Sequence, residues 1–352
     1  MSILVVGGGK MGLSHMAILS RLLDPGSVAV CDPSRLSRFI YGKLGITTYR
    51  SLDQALQGRA RWLGAVIATP TSTHFPLAKT LLEHGIPCFI EKPLTLNTAH
   101  SQTLAELQRS SGTVVQMGLV TRFVQPFVRL RRITASGALG RPLRYRARML
   151  GNVVTKPDNG SWRTDFQHGG GCLNEYGPHL LDLCRSIFGD VQALAAARYG
   201  QEHSTRCDDS FEIAWTHASG TAATLVLNWC DTTRRKSAMD FEVVYEHGVV
   251  HANNAELTVQ IHDSATLDAA QRAALQAPVL PYPVNFYLRG EEFSLQLEVF
   301  LQRALGNRLL LADIDSDMAA SIQDGLAVDQ LIHDIAVMSG LAGPAQQARQ
   351  SA

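Results

Sequence analysis

An acid and a base directly follow a short apolar run near residue 90. Residues 87–90 (Pro-Cys-Phe-Ile) predict a buried strand, so Glu91 and Lys92 leave the sheet at its carboxyl end, where open α/β sheets bind ligands. Pro93 biases Lys92 towards extended backbone, which gives its ammonium a fixed direction. Such an ammonium can donate a hydrogen bond to a substrate oxygen, or act as a base where burial lowers its pKa. Taken alone, these residues also fit an ordinary Glu–Lys pair on a surface loop.

A second polar group follows the triple glycine at 169–171. Glu175, His179 and Asp182 are spaced i, i+4 and i+7, so a helix presents them as one polar stripe. His179 can take the proton of a secondary alcohol near neutral pH, and Glu175 can orient its ring. The glycines let the start of such a helix approach a ligand. The alternative is a surface pair at i, i+4, which contributes ~0.2–0.5 kcal/mol to helix stability.

The helix that carries this stripe contains a proline. Pro178 is tolerated only within a first turn, which predicts that the helix begins no earlier than about Asn174. The stripe that docks the helix is apolar and consists of Leu173, Tyr176, Leu180, Leu183 and Ile187. Three ligands at this spacing on one helix span two turns, so we expect no metal ion on the polar stripe.

The start of the chain predicts a strand, a glycine-rich turn and a helix. A β-branched run at 2–6 leads directly into a G-x-G-x-x-G pattern at 7–12. Gly7 allows the tight turn, Gly9 lets the backbone approach a pyrophosphate, and Gly12 lets helix and strand pack closely. A diphosphate would then lie on the helix N-terminus.

Asp32 indicates which dinucleotide to expect. It ends a second predicted strand, 27–31, twenty residues after Gly12, where its carboxylate can accept hydrogen bonds from an adenosine ribose. We predict NAD rather than NADP, because this carboxylate would repel a 2′-phosphate. Polar and basic residues nearby could bind such a phosphate and leave NADP open; they are Ser34, Arg35 and Arg38. The simpler alternative is an Asp that only opens the turn at Pro33.

Strands and helices continue to alternate up to about residue 118, which predicts a parallel sheet. The strand at 63–68 ends in the loop Thr69-Pro70-Thr71, which brings hydroxyl groups to the same sheet edge as the glycine turn and Lys92. His74 follows in this loop and could contact the nicotinamide end of the cofactor. Equally, residues 71–73 could only cap the next helix, with His74 a bystander.

The second half of the chain has the rhythm of strands joined by tight turns such as Glu246-His247-Gly248. The strands are predicted at 143–149, 193–199, 210–216, 221–229, 239–245 and 255–261. This pattern indicates an open, mainly antiparallel sheet. Two amphipathic helices, at about 287–305 and 316–338, are predicted to finish the fold.

Composition excludes several classes of partner. The chain has 352 residues, 45% of them hydrophobic and 18% charged, with a formal net charge of +1. This balance gives nucleic acid or an anionic membrane no electrostatic reason to bind. Without a basic leader or an apolar stretch of ~18 residues, we expect a cytoplasmic protein with no membrane segment. The six cysteines lack C-x-x-C pairs, which favours reduced buried thiols over disulfides or a metal site.

Together these motifs resemble the Gfo/Idh/MocA family of NAD(P)-dependent oxidoreductases, named for glucose-fructose oxidoreductase and inositol dehydrogenase. In the first half the resemblance lies in the glycine turn, Asp32, Ala68-Thr69-Pro70 with His74, and Glu91-Lys92-Pro93. In the second half it lies in Arg122-Phe123, the run 136–140, Trp162-Arg163, the triple glycine, and Glu175, His179 and Asp182. It covers nearly the whole chain. The chain departs from the family pattern at Glu175, where the family has Asp.

The resemblance implies an α/β fold with a dinucleotide-binding Rossmann domain at 1–118 and an α+β substrate-binding and oligomerisation domain at 119–352. Dinucleotide contacts are implied for Gly7, Gly9, Lys10, Met11, Gly12, Asp32, Thr69, Pro70, Thr71, His74, Glu91 and Lys92. Substrate contacts are implied for Arg122, Trp162, Arg163 and Asp182. Catalysis is expected from Lys92, which polarises the substrate oxygen, from His179 as the base and from Glu175 as its partner.

The implied partners are a sugar or polyol and further copies of the chain. A homodimer or homotetramer would form through the open sheet, and the row of Arg144, Arg146 and Arg148 would then lie in solvent, at that interface or over the substrate. The implied reaction is hydride transfer between NAD, or NADP, and a secondary alcohol of a sugar, polyol or nucleotide-linked sugar. Two alternatives stay open: a glycosidase that retains its dinucleotide, which the departure at Glu175 would suit, and a dinucleotide-binding regulator without turnover.

Overall fold

The computed structural model describes residues 2–58, 61–156, 162–263, 265–284, 286–306 and 316–342. The chain divides into two compact units. The first comprises Met1–Phe123 and Pro283–Asp329, and the second comprises Val124–Tyr282 and Gln330–Ala352. The division predicted from the sequence, at residue 118, did not include the return of 283–329 to the first unit. The assignment of cofactor and substrate to separate domains stays a prediction.

The elements follow one another along the chain with helices and strands alternating in the first third. The strands are β1 Ser2–Val6, β2 Val28–Cys31, β3 Thr47–Tyr49, β4 Trp62–Ile67, β5 Cys88–Ile90, β6 Val115–Met117, β7 Pro142–Leu150, β8 Val191–Gly200, β9 Ser210–His217, β10 Ala222–Asn228, β11 Ala238–Tyr245, β12 Gly248–Asn253 and β13 Leu257–Ile261. The helices are α1 Lys10–Leu22, α2 Arg35–Lys43, α3 Leu52–Gln57, α4 His74–Glu83, α5 Thr98–Ser111, α6 Gln125–Ser136, α7 Cys172–Phe188, α8 Ala269–Gln276, α9 Glu291–Leu305 and α10 Ile322–Ser339. None of these described helices is long and apolar enough to cross a membrane.

The first unit is built on a six-stranded sheet in the order β3-β2-β1-β4-β5-β6, with every neighbouring pair parallel. The predicted doubly wound parallel sheet is confirmed. The direction of winding reverses between β1 and β4, which is where such sheets open a crevice at their carboxyl edge. Helix α2 was not predicted, although Leu36, Phe39 and Ile40 follow one another at i, i+3 and i+4 and were a signal that could have been used. This apolar stripe is exposed, and Tyr41 is the buried residue of the helix.

Residues from the returning segment 283–329 complete the core of the first unit. Alternate residues of β1 enter two apolar clusters, Ile3 and Val5 in one, Leu4 and Val6 in the other. Helix α9 adds three buried side chains to the cluster around Ile3 and Val5: Leu297, Phe300 and Leu301. The Phe300 ring meets Phe89 of β5 edge to face, with 5.8 Å between centroids. Helix α1 packs on the same face, so α9 completes a cover that residues far earlier in the chain have begun.

A buried acid holds the loop that follows Lys92. Asp329 Oδ2, on α10, accepts hydrogen bonds from the Thr95 backbone N–H (2.8 Å) and from the Ser101 hydroxyl (2.6 Å). Burial raises the pKa of Asp329 from 3.8 to about 7, although these two hydrogen bonds act in the opposite direction. The loop between β5 and α5 is thus fixed at its far end by a carboxyl group that gains a proton on folding near neutral pH.

The second unit contains a seven-stranded sheet in the order β13-β12-β11-β7-β10-β9-β8. Only β7 and β10 run parallel among these neighbours, so the predicted mainly antiparallel sheet is confirmed. Strand β12 was missed although the turn before it was predicted, because its exposed His251 and half-buried Asn253 hide the apolar alternation. Helices α6 and α8 were also missed.

The two faces of the second sheet differ sharply in polarity. The face under α7 is buried and includes Tyr145, Ala147, Phe211, Ile213, Trp215, Leu225, Phe241 and Val243. On the other face Arg144 and Arg146 are exposed, while Arg148 Nε donates to Asp240 Oδ1 at 2.7 Å. Association of this polar face with another copy of the chain stays a prediction.

Helix α7 begins earlier than predicted. It starts at Cys172, so Pro178 lies inside the helix, and the expected start near Asn174 is wrong. Asp208 provides acceptors for the extra residues: its Oδ2 accepts the Leu173 N–H (2.7 Å) and its backbone oxygen accepts the Cys172 N–H (3.1 Å). These two bonds, with the complete burial of Leu173, hold the first turn even though Pro178 has no N–H to donate.

We expect Asp329→Asn to remove a pH dependence from stability. Between about pH 4 and 7 the folded chain holds a proton on Asp329 that the unfolded chain has lost, so stability falls as pH rises and levels off above about 7. The fall is on the order of a few kcal/mol. Asn cannot ionise, so the Tm of the variant minus that of wild type should increase over this range in circular-dichroism melts. A difference that stays constant with pH would show that Asp329 keeps an ordinary pKa.

Candidate active site

The glycine-rich turn between β1 and α1 has the geometry that a dinucleotide diphosphate requires. Gly7 has φ +100°, a conformation that favours glycine. A Cβ at Gly12 would stand 1.8 Å from the Gly7 carbonyl oxygen, so only glycine lets α1 pack this closely on the end of β1. At Gly9 nothing lies within 4 Å of the corresponding position, which leaves that side of the turn open for a ligand.

The N-terminus of α1 offers donors to an anion. Gly9 is the N-cap and has no side chain that could accept a hydrogen bond from the first turn. The backbone N–H groups of Lys10 and Met11 have no acceptor within the helix, because the first turn of any α-helix lacks one. Together with the positive end of the helix dipole, these donors fit the diphosphate of NAD.

Asp32 lies at the end of β2, beside the glycine turn. Its Oδ2 accepts the Gly8 N–H at 2.6 Å and its Oδ1 accepts the Ser34 N–H at 2.8 Å. Each oxygen keeps a lone pair that can accept a ribose hydroxyl. Two of the residues considered for a 2′-phosphate have partners within the protein. The Ser34 hydroxyl caps α2, and Arg38 Nη1 donates to the carbonyls of Asp32 and Pro33, both at 2.7 Å.

The loop after β5 is anchored by a histidine that sequence analysis missed. His15, fully buried on α1, has its Nε2 2.6 Å from Glu91 Oε1. Glu91 Oε2 also accepts the Lys92 backbone N–H, at 3.3 Å. Lys92 itself is half-buried, and its peptide bond to Pro93 is cis. Glu91 thus positions the Lys92 backbone, and its predicted contact with the cofactor stays a prediction.

Three loops with polar groups meet at one edge of the first sheet. Gly7 follows β1, Thr69 follows β4 and Lys92 follows β5, and these three strands are parallel neighbours. The Thr69 loop is stiffened from within, since the Thr73 hydroxyl donates to the Pro70 carbonyl (2.8 Å) and lies 2.7 Å from Thr69 Oγ1, whose hydroxyl can donate to it. The edge therefore presents backbone donors, hydroxyl groups and the Lys92 ammonium around the position where a dinucleotide would bind.

The His74 ring lies buried between two of these loops. Its ring is 1% exposed, with Nδ1 3.0 Å from the Pro93 carbonyl and Nε2 3.0 Å from the Thr69 carbonyl. Burial lowers the pKa of His74, against the effect of the two carbonyls. A neutral imidazole carries one N–H, so the ring donates a hydrogen bond to one of these two carbonyls and packs between both loops. A contact of His74 with the nicotinamide stays a prediction, and its burial between the two loops does not support it.

Arg122, predicted to bind substrate, lies in the first unit and pairs with Asp324. Its Nη2 is 3.0 Å from Asp324 Oδ1, and the Arg122 side chain is 7% exposed. Burial alone would raise the pKa of Asp324, but the Arg122 guanidinium and the Ser321 donors hold it below its ordinary value. The pair thus ties α10 to the segment after β6, and substrate binding by Arg122 stays a prediction.

In the second unit, Glu175 and His179 are half-buried on one face of α7, while Asp182 is fully buried. Two members of the predicted stripe are therefore half-buried and the third is fully buried, and their catalytic and substrate-binding roles stay predictions. Arg163, another predicted substrate residue, has its Nε 3.9 Å from Glu175 Oε1. The Arg163 carbonyl accepts the Gly171 N–H at 2.9 Å, which fixes this segment against the start of α7. The Trp162 side chain lies outside the described residues.

The last residue of the triple glycine packs against a buried acid. A Cβ at Gly171 would lie 2.3 Å from Asp208 Oδ1, so this glycine makes room for the carboxyl group. Asp208 is fully buried, and burial raises its pKa to about 7. Sequence analysis missed both Asp208 and His15. An acid before a strand carries no positional signal, whereas a histidine within the apolar stripe of α1 was a signal that could have been used.

Comparisons with known proteins agree with this geometry. Residues 1–119 match the family model described as "Oxidoreductase family, NAD-binding Rossmann fold", and residues 127–251 match the GFO/IDH/MocA C-terminal domain. The chain belongs to the Gfo/Idh/MocA family. The first unit of this Gfo/Idh/MocA protein is accordingly an NAD-binding Rossmann domain, as the glycine turn and Asp32 predict.

Individual relatives match parts of the chain. The scyllo-inositol 2-dehydrogenase (NAD(+)) of Bacillus subtilis is 29% identical over 189 residues, 53% of each protein. Inositol 2-dehydrogenase 4 of Saccharopolyspora erythraea is 36% identical over 143 residues, 40% of this chain and 42% of the relative. These matches span about half the length of the curated relatives. A structure of levoglucosan dehydrogenase with NADH and levoglucosan superposes with TM-score 0.77 over 97% of both chains at 20% identity, a likeness of fold.

Two glycine substitutions should separate folding from cofactor binding. Gly12→Ala places a methyl group against the Gly7 carbonyl, so we expect a clear loss of Tm. Gly9→Ala meets no protein atom within 4 Å, so its Tm should stay near that of wild type while NAD affinity in calorimetry falls by about tenfold or more. If Gly9→Ala binds NAD as tightly as wild type, the diphosphate does not approach this turn.

Proposed function

We propose that this Gfo/Idh/MocA protein is an NAD-dependent dehydrogenase that oxidises a secondary alcohol of a sugar, polyol or nucleotide-linked sugar. The observation that carries the proposal is the placement of Lys92 at the carboxyl edge of neighbouring parallel strands, together with the glycine turn and the Thr69 loop. A group that can polarise a substrate oxygen thus lies on the dinucleotide-binding edge. The substrate class is supported by the names of the relatives, which act on inositols, and of the levoglucosan dehydrogenase that shares the fold.

NAD is proposed over NADP because Asp32 fits a ribose diol and repels a phosphate. The engagement of Ser34 and Arg38 within the protein supports the same choice. The direct test is a panel of sugars and polyols with each cofactor, followed by near-ultraviolet absorbance of the reduced nicotinamide. Formation of reduced cofactor supports the proposal, whereas product formation without net reduction would indicate the non-redox glycosidase.

The proposed chemistry assigns a separate role to each of three side chains. When bound, NAD⁺ supplies the hydride acceptor. Lys92 donates a hydrogen bond to the substrate oxygen and stabilises the charge that develops as the hydroxyl proton leaves. His179 accepts that proton, and Glu175 on the same face of α7 stabilises the imidazolium. The Arg163 guanidinium, whose Nε is 3.9 Å from Glu175 Oε1, partly neutralises the negative charge of the Glu175 carboxylate.

The family has Asp where this chain has Glu175, so the side chain here is longer by one methylene. The extra methylene extends the carboxylate towards Arg163, which a shorter side chain would reach less well. We attribute the departure to this pairing. Arg163, Trp162 and Asp182 stay proposed substrate residues, although burial of Asp182 favours a role in positioning α7.

Lys92→Met should lower kcat by ~10²–10³ with NAD affinity nearly unchanged, because the ammonium acts mainly on the charge of the transition state. Steady-state kinetics on the best substrate of the panel, with calorimetry for NAD, measures both quantities. Lys79→Met is the matched control: Lys79 is 44% exposed on α4 and pairs with Glu83, so its kinetics should equal those of wild type. Normal turnover by Lys92→Met would show that Glu91 and Lys92 are an ordinary pair on a surface loop and that Lys92 takes no part in catalysis.

His179→Ala should cost ~10²–10⁴ in kcat, and Glu175→Gln should cost less. If the two residues act as one unit, the double variant should resemble His179→Ala alone. Losses that multiply would mean that Glu175 acts independently of the imidazole.

Glu175→Asp tests the pairing with Arg163. We expect a lower kcat and a shifted pH profile of kcat. An unchanged profile would make Glu175 a tolerated variant without a specific role.

A further inference from the structure

Three metal-ligating side chains that the proposed reaction does not use lie together in the second unit. Glu202, His203 and Cys230 each offer one ligand atom, and the carboxylate oxygen, ring nitrogen and sulfur all lie within 4.8 Å of one another. Cys230 is buried, His203 is half-buried and Glu202 is exposed. The group therefore has one side fixed in the protein and one side open to solvent.

Both segments that carry these ligands are held by the same carboxylate. Asp209 Oδ2 accepts the backbone N–H groups of Glu202 (2.7 Å), His203 (2.7 Å) and Ser204 (2.8 Å). Its Oδ1 accepts the Trp229 Nε1–H at 2.8 Å, and Trp229 directly precedes Cys230. Asp209 is fully buried. The backbone of all three ligands is therefore ordered without help from an ion, which lowers the entropic cost of binding one.

We propose that Glu202, His203 and Cys230 bind one zinc-type divalent cation, with water as the fourth ligand. Sulfur, imidazole nitrogen and carboxylate oxygen form a donor set that suits Zn²⁺ better than Mg²⁺ or Ca²⁺, which prefer oxygen alone. A thiolate and a carboxylate together balance the charge of the ion. With metal–ligand distances of ~2.0–2.3 Å, ligand atoms around a tetrahedral ion stand roughly 3.3–3.8 Å apart. The exposed Glu202 side chain can rotate to close the remaining gap.

The ion would stabilise the loop that supports α7. Asp208, next to Asp209, accepts the N–H groups of Cys172 and Leu173 at the helix start. A cation that clamps Glu202 and His203 to Cys230 fixes the loop from which Asp208 reaches α7. The effect is structural and does not depend on the dehydrogenase proposal, so either proposal can fail without the other.

The competing interpretation needs no metal. The Cys230 thiol also lies against the Asp209 carboxylate and can donate to it, and an exposed Glu202 is well solvated alone. The two interpretations differ in what Cys230 does when a divalent ion is supplied. Only the metal site converts the thiol into a thiolate bound to the ion.

The test uses the full chain, freed of metal with a chelator and titrated with Co²⁺ and then with Zn²⁺ in competition. We expect one equivalent of Co²⁺ with the near-ultraviolet charge-transfer band of a thiolate ligand and the visible bands of a tetrahedral ion. Cys230→Ser should abolish the charge-transfer band. His203→Ala should weaken zinc binding by about 100-fold or more, since loss of a residue that only hydrogen-bonds to a metal ligand already costs ~10–100-fold. Zinc should raise the Tm of wild type and not of His203→Ala.

Matched controls come from the same unit. His251→Ala on β12 and Glu212→Gln on β9 remove exposed side chains of the same types elsewhere, and both should bind zinc like wild type. The proposal is overturned if wild type shows no thiolate band, or if Cys230→Ser and His203→Ala keep wild-type affinity. Should Cys230→Ser not fold, the half-buried His203 provides the decisive variant, because its removal leaves the core intact.

Discussion

The first unit depends on the close approach of Gly12 to the Gly7 carbonyl, which lets α1 start directly against the end of β1. That contact orients the N–H groups of the first turn towards the diphosphate position. It also determines where His15 lies, less than one helical turn further along α1, and His15 meets Glu91. One backbone contact thus sets the cofactor end of the site and, through the His15–Glu91 pair, the loop that carries Lys92.

Carboxyl groups in or near the interior recur as the anchors of segments that carry proposed functional residues. The half-buried Glu91 accepts the Lys92 N–H, the buried Asp329 accepts the Thr95 N–H of the same loop, and the buried Asp208 accepts the Leu173 N–H in the first turn of α7. Each accepts backbone N–H groups that a loop would otherwise leave unpaired in the interior. Charge burial is costly, and for Asp329 and Asp208 the cost appears as a pKa near 7, so a proton accompanies folding.

Much of the fold could be predicted from the sequence because the signals are local. The parallel sheet, the glycine turn and the position of Asp32 follow from runs and spacings within about thirty residues. The rest could not, because it depends on partners far apart in the chain. Glu91 meets His15 across 76 positions and Asp329 meets Thr95 across 234. His74 illustrates the limit: its place in the loop was visible, but its burial between two carbonyls was not.

Because residues 283–329 return to the first unit, the core of that unit can be completed only late in synthesis. During synthesis the strands of the first sheet and α1 emerge long before α9, whose Leu297, Phe300 and Leu301 complete the apolar cluster on one face of that sheet. Residues 124–282, by contrast, form a continuous segment and can collect most of their sheet contacts as they leave the ribosome. Part of the apolar face of the first sheet therefore stays exposed until the chain has been made beyond residue 301. In a growing chain, that interval is the period in which a chaperone has most reason to bind.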